Sequence, residues 1–278
     1  MAETKIFFPA DSPFLQQDPR RERWAIPYNF ECLNARVENL LWRHRDAVAG
    51  KQVLDVACHM GTFSYAALQI GAAGVQGVDV EEARLKQGRA LFAQLRVPKD
   101  RYSLEAGEVS EFLQTLGDNS CDTIFCFGML YYLAEPFGLL RQMRRVARET
   151  VLLDTFTTAY CALQGKEAPE ILARIPDDTL LELPLMMTTA TQARKKSYRL
   201  PHSFHGENSE LSLMTFPSAA LLERWFEALD MKYRRLDWSP YIGRPVHWRD
   251  LTGPRQKKES HWADLYACGV RLSYRLSL

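Results

Sequence analysis

The stretch "VLDVACHMGTFS", residues 53–64, decides how the rest of the chain is read. Val53, Leu54, Asp55 and Val56 make a short apolar run with one acid, and a helix is expected to start near Thr62. Strand, tight loop and helix in that order form the first unit of a nucleotide-binding α/β fold. Its loop usually carries glycine at three places, so that the backbone turns sharply and approaches a pyrophosphate. Here Ala57 and His59 take two of those places and only Gly61 keeps the third. A ligand without phosphates needs less of this loop. It needs close backbone approach, which Ala57 and Gly61 allow, and an acid for a cationic amino group, which Asp55 supplies.

Outward from this loop the chain alternates. Strands are expected at "QVLDVA", "GVQGVDV", "YSLEAG", "CDTIFCFGML" and "TVLLDTF", with helices at 62–70, 82–95, 109–116 and 136–148. The strands are near-continuous apolar runs, as strands covered on both faces should be. The pattern predicts an α/β, Rossmann-like, doubly wound and mostly parallel sheet. Upstream, apolar positions from Leu33 to Val48 keep helical spacing and Gly50 ends the helix. After Phe156 the rhythm breaks, and 158–213 reads as mixed helix and loop inserted over the sheet edge. A helix opened by Ser218, a strand at "KYRRLDW" and a last strand at "WADLYACGVRLS" predict an antiparallel C-terminal hairpin, with "GPRQKKES" as a mobile loop. The expected organisation is an N-terminal lid or cap over 1–50 and a binding domain over 51–278.

Composition narrows the functions. Of 278 residues 46% are hydrophobic, enough for a sizeable core, and the net charge is +1. That balance gives no global electrostatic reason to bind nucleic acid or an acidic membrane. The start "MAETKIFFPADSP" has no basic segment followed by a long apolar run, and no stretch reaches a membrane span of roughly 18 apolar residues. A cytoplasmic protein is expected. None of the six cysteines forms a CxxC pair, and His202 and His205 lack a carboxylate partner, so no metal site is expected. The basic runs at 194–196 and 255–258 read as solvated loops.

Three acids follow three successive strands: Asp55, Asp79 and Glu108. Asp79 lies eighteen residues past Gly61, where a carboxylate holds ribose hydroxyls, and Glu108 can accept from an adenine amino group. Each has a plainer reading as a helix cap or loop acid, and His59 as a loop-packing residue. Taken in order, "LDVACHMG", "GVDVEEA", "AGEV" and "CDTIFCFGMLYYL" resemble the motifs of the class I S-adenosylmethionine-dependent methyltransferases. The resemblance is good over 50–156 and looser over 214–278. It implies S-adenosyl-L-methionine as cofactor, bound by Asp55, Ala57, Gly61, Asp79, Glu81, Glu108, Val109, Phe127, Tyr131 and Arg36. Tyr131, His59 and Tyr28 are the catalytic candidates. A cation over an aromatic face is stabilised by roughly 0.5–2 kcal/mol, which suits Tyr131 and Tyr132 to a sulfonium.

Within that superfamily the chain resembles the bacterial tRNA wobble-uridine carboxymethyl transferase, through "CDTIFCFGMLYYL" and the leading "IPYNFECLNARVENLLWRHRDAVAGKQVLDV". It departs at "HWADLYACGV", which lacks the late arginine that would hold that family's carboxylated cofactor. The expected reaction is therefore methyl transfer to a small-molecule acceptor, with nucleic acid and membrane not expected as partners. Cyclisation of S-adenosylmethionine to azetidine-2-carboxylate and tRNA wobble-uridine modification are the alternatives. The segment with Trp24, Tyr28 and Arg36, together with the insertion, is expected to close over the cofactor.

Overall fold

The computed structural model describes residues 5–16, 29–163, 174, 176, 179–193, 203–205, 209–251 and 261–278. Its strands are β1 (Gln52–Val56), β2 (Gly74–Asp79), β3 (Tyr102–Ala106), β4 (Cys121–Phe127), β5 (Ala147–Phe156), β6 (Leu185–Ala193), β7 (Ser203–His205), β8 (Ser209–Pro217), β9 (Lys232–Arg235) and β10 (Arg271–Ser277). The main helices are α1 (Phe30–Leu40), α2 (Thr62–Ile70), α3 (Glu82–Gln94), α4 (Val109–Thr115), α5 (Pro136–Val146), α6 (Ala219–Ala228) and α7 (Asp264–Ala267).

Seven strands form one sheet in the order β3-β2-β1-β4-β5-β10-β9. The first five run parallel, and β10 enters antiparallel between β5 and β9. The strand order reverses between β1 and β4, and beyond the carboxyl ends of those strands such a sheet leaves a ligand crevice. Alternation along β1 explains its continuous apolar character. Val53 joins the core under α1, while Leu54 and Val56 join the opposite core under α5 and α6. Local chemistry sets the helix ends. Asn29 accepts from the Cys32 amide and Ser218 from the Leu221 amide, while Gly71 closes α2 in the left-handed conformation.

Two expectations fail. The segment 158–213 does not read out as helix and loop alone: its described residues supply most of a second, antiparallel sheet in the order β6-β8-β7. The alternation in "LMMTTATQA" and "SELSLMTFP", rich in threonine, favours strands. Nor does this sheet lie over an edge of the main one. It packs on the turns Leu130–Tyr132 and Thr158–Leu163, which follow β4 and β5 in the middle of the sheet. The last strand is also shorter than expected. Asp264 accepts from the His261 amide and α7 follows; Gly269 then turns with φ 72°, so β10 begins only at Arg271. "GPRQKKES" falls outside the described residues.

A buried ionic cluster joins distant parts of this fold. Asp154 of β5 is fully buried, and so are Arg36 of α1 and Arg271 of β10. Arg36 Nη2 donates to Asp154 Oδ2 at 2.7 Å, and Arg271 Nε donates to Oδ1 at 2.8 Å. The Tyr266 hydroxyl and Ser273 Oγ reach the same carboxylate at 3.3 Å. Burial alone would raise the Asp154 carboxyl, but the Arg271 and Arg36 guanidiniums outweigh it and hold it below the ordinary carboxylate range. A depressed carboxylate stabilises the fold above its unfolded pKa, and that contribution fades as pH falls through the folded value. Asp154→Ala leaves two cations without their anion. It is expected to cost about 3–5 kcal/mol in chemical denaturation at neutral pH. A loss under 1 kcal/mol would show that the cluster does not hold the fold.

Candidate functional site

The loop after β1 keeps the turn of a glycine-rich loop with only one of its glycines. Ala57 has φ 58° and His59 φ 55°, both left-handed, and Gly61 has φ 73°. An L-residue there costs roughly 1–2 kcal/mol, so neighbouring structure must hold it. Asp79 at the end of β2 does so, with Oδ2 accepting from the His59 amide at 2.8 Å and Oδ1 from the Glu81 amide at 2.9 Å. The Cys58 amide donates to Val78 O at 3.0 Å, and the Gly61 amide to Cys58 O at 2.8 Å. One glycine the loop does need lies elsewhere. A Cβ on Gly88 of α3 would stand 2.5 Å from the Met60 carbonyl oxygen, so only glycine lets the loop sit this close to the helix.

The other acids also have structural partners. Asp55 is buried and accepts from Ser64 Oγ of α2 at 2.6 Å. Glu81 precedes α3 and lies 3.3 Å from the Arg84 Nε. Glu108 caps α4, its Oε2 accepting from the Glu111 amide at 2.9 Å, and Val109 behind it is buried. The carboxyl ends of β1, β2 and β3 thus bring together Asp55, the loop Ala57–Gly61, Asp79, Glu81, Glu108 and Val109.

Beyond β4 and β5 the site is aromatic. Phe127 ends β4, meets Phe63 edge-on at 5.0 Å and stacks on Phe125. Tyr131 is buried among Tyr132, Phe156 and Phe216, the last contributed by the second sheet at 5.6 Å. Tyr160 stacks on Phe156 at 3.6 Å. Burial, then the neighbouring Tyr132, pushes the Tyr131 hydroxyl well up, so it is a phenol at neutral pH and no general base. Arg36 lies over the Phe63 ring and Arg271 over the Phe156 ring, so the cluster on Asp154 underlies these rings. Arg36, expected to contact the cofactor, donates to Asp154 and lies over the Phe63 ring. Tyr28 and Trp24 fall outside the described residues.

Sequence reasoning passed over Asp154, Tyr266 and Arg271. The signals were an acid inside the apolar strand "TVLLDTF" and an arginine one residue past "HWADLYACGV". The arginine that follows that stretch, Arg271, is fully buried beside Tyr131 and Gly128 and pairs with Asp154. Cys58, Cys121 and Cys126 are buried, and burial raises each thiol, the last two to about 12, which leaves them un-ionised. Among the described residues no group of three His, Cys, Asp or Glu is placed to hold a metal, and no helix is long and apolar enough to cross a membrane.

A sheet of this order with its loop, acids and aromatic end defines a Rossmann-like methyltransferase fold. The family described as "Methyltransferase domain" matches residues 47–200, more than half of the chain. The chain belongs to that family. It is 32% identical over 105 residues to a tRNA U34 carboxymethyltransferase of Idiomarina loihiensis, covering 38% of this chain and 32% of the relative. It is 31% identical over 104 residues to a ubiquinone biosynthesis O-methyltransferase of Pseudomonas aeruginosa, covering 37% and 43%. The match thus spans less than half the length of either relative. Among solved structures, an S-adenosylmethionine-dependent methyltransferase from Mesorhizobium loti aligns with TM-score 0.52 at 14% identity, over 88% of this chain and all of that one. A geranyl diphosphate C-methyltransferase from Streptomyces coelicolor aligns with TM-score 0.54 at 13% identity, over all of this chain and 90% of its own. These two share the fold.

The left-handed residues of the loop make a direct test. Ala57→Gly relieves strain of about 1 kcal/mol, partly offset by the greater freedom of glycine in the unfolded chain, so stability should hold or rise slightly. Ala57→Val adds a branched side chain in a forbidden region and should cost about 2 kcal/mol or more. Equal melting temperatures for the two variants would show that the loop is not held in this conformation.

Proposed function

We propose that the chain is an S-adenosylmethionine-dependent methyltransferase acting on a small-molecule acceptor. The observation that carries this reading is the loop at the β1–β4 switch point, fixed by Asp79 with its backbone in the left-handed turn that the missing glycines would adopt. In this reading the loop backbone approaches the methionine part of the cofactor and Asp79 takes the ribose hydroxyls. Glu108 and Val109 border the adenine. Phe127 and Tyr131 face the sulfonium, whose charge an aromatic surface favours. Methyl transfer is mainly positioning of a nucleophile in line with the methyl group. The Tyr131 phenol, held protonated, serves as a hydrogen-bond donor rather than a base.

The aromatic wall of Tyr131, Phe156, Tyr160 and Phe216 supports an acceptor with an apolar, planar part. A tRNA acceptor is the second reading, and one relative bears a tRNA name. The near-zero net charge does not exclude it, because a sum over the molecule says nothing about a local cluster of cations. Cyclisation of the cofactor is dropped, since the family and the relatives named above carry methyl- and carboxymethyl-transfer names.

Calorimetry with S-adenosylmethionine tests the core of the proposal. Asp79→Asn removes the charge behind two ribose hydrogen bonds and is expected to weaken binding at least about tenfold. An affinity equal to that of the native chain would remove Asp79 from the cofactor site. Mass spectrometry of the products should find S-adenosylhomocysteine, formed only when an acceptor is present.

A further inference from the structure

A second polar pocket lies at the far edge of the sheet from the cofactor loop. It is a cavity of about 240 Å³ bordered by Asn39, Arg43, His44, Arg234, Arg235 and Asp237. Waters occupy roughly 30 Å³ each in the liquid, so a small polar group fits. The edge strand β9 supplies Arg234 and Arg235, the residues just after it Asp237, and the end of α1 and the turn after it Asn39, Arg43 and His44. A second cleft of about 370 Å³ runs on from it along β9, bordered by Lys232, Arg275 and again Arg234.

Most charges here are matched. Arg235 donates to Glu223 at 2.6 Å and Arg275 to Asp46 at 2.6 Å, and Arg43 lies 3.7 Å from Glu38. The Asp237 carboxylate accepts from the Ser239 amide and hydroxyl. Arg234 differs. Its Nη2 meets the ring Nδ1 of His44 at 3.3 Å, and no carboxylate of the described residues lies within ion-pair distance of Arg234 or Lys232. An arginine can only donate, so this Nδ1 accepts and the imidazole is neutral. Burial, then the positive charges of Arg234 and Arg275, pulls His44 down to about 4, against the smaller opposing effect of Asp46. Asn39 adds an independent sign. It is 2% exposed, it borders the pocket, and its Nδ2 has no acceptor among the described residues.

We propose that this pocket binds a phosphate group, gripped by the Arg234 guanidinium and the Asn39 amide, on a ligand that is either a polynucleotide or a small phosphorylated molecule. Both residues border one space, and the cations left over after internal pairing lie along β9. A guanidinium fork fits the oxygens of a phosphate in pairs, and charge-assisted bonds of this type are about twice as strong as neutral ones. Asp237 keeps its charge while accepting from Ser239, but the three arginines that border the same pocket, Arg43, Arg234 and Arg235, outnumber it. Arg36 and Asn39 fall on one face of α1, three residues apart, so the pocket lies beside the ionic cluster on Asp154 but outside the crevice of β1 to β4.

Titration of the native chain with inorganic phosphate, followed by nuclear magnetic resonance, tests this. The Asn39 side-chain amide and the His44 ring signals should shift, and Arg234→Gln should weaken phosphate binding about tenfold while leaving S-adenosylmethionine affinity unchanged. Residue 234 is exposed, so the variant folds. A short oligouridylate, titrated in parallel, separates the two sources. If it binds much more tightly than phosphate and with a steep salt dependence, the ligand is a polynucleotide; if it binds no better, the ligand is a small phosphorylated molecule. The proposal is overturned if phosphate moves neither signal, or if Arg234→Gln binds phosphate as the native chain does. Neither result touches the cofactor reading, which is measured separately.

Discussion

The carboxylate of Asp154 is the point on which the rest of this structure depends. Two arginines from opposite ends of the sequence meet on it, in a place that water does not reach. Burying three charges is expensive and is tolerated only when geometry satisfies them. That cost confers specificity. A slip of β10 by one residue would turn Arg271 away from Asp154 and leave Arg36 alone to balance that carboxylate. The antiparallel insertion of β10 between β5 and β9 and the seating of α1 are thus enforced by one group.

The same cluster connects stability to the site. Arg271 lies over Phe156 and beside Gly128, whose amide donates to the Asp154 carbonyl at 2.7 Å. Arg36 lies over Phe63, which faces Phe127. The aromatic end of the crevice therefore rests on charges whose positions are fixed from beneath, which is how a binding surface keeps its shape without a ligand.

Much of this was legible in the residues. The parallel core followed from strand and helix periods, with α2 starting at Thr62 and α6 capped by Ser218 as read. The acids at the ends of β1, β2 and β3 were legible because the doubly wound topology leaves strand ends at the crevice. What stayed hidden was what those acids touch. Asp79 reads as a ligand for ribose, yet it also holds the loop that Ala57 and His59 would otherwise strain, and only coordinates reveal a backbone amide as its partner. The second sheet was missed because threonine-rich alternation was set against scattered proline and charge. Asp154 and Arg271 were missed because their pairing spans 117 positions, and no local pattern encodes it.

That separation has a consequence for how the chain comes together during synthesis. When β5 has left the ribosome, Arg36 is already available to Asp154, and a neutral one-to-one pair can form. Arg271 arrives 117 residues later. Until then β5 is an open edge with its hydrogen-bonding groups exposed, a surface on which nascent chains pair wrongly with one another. Such long-range closure is slow, because the entropy of a large loop is lost before the contact is gained. The late strand thus makes final assembly a separate kinetic event, in which a nearly finished sheet waits for its missing neighbour.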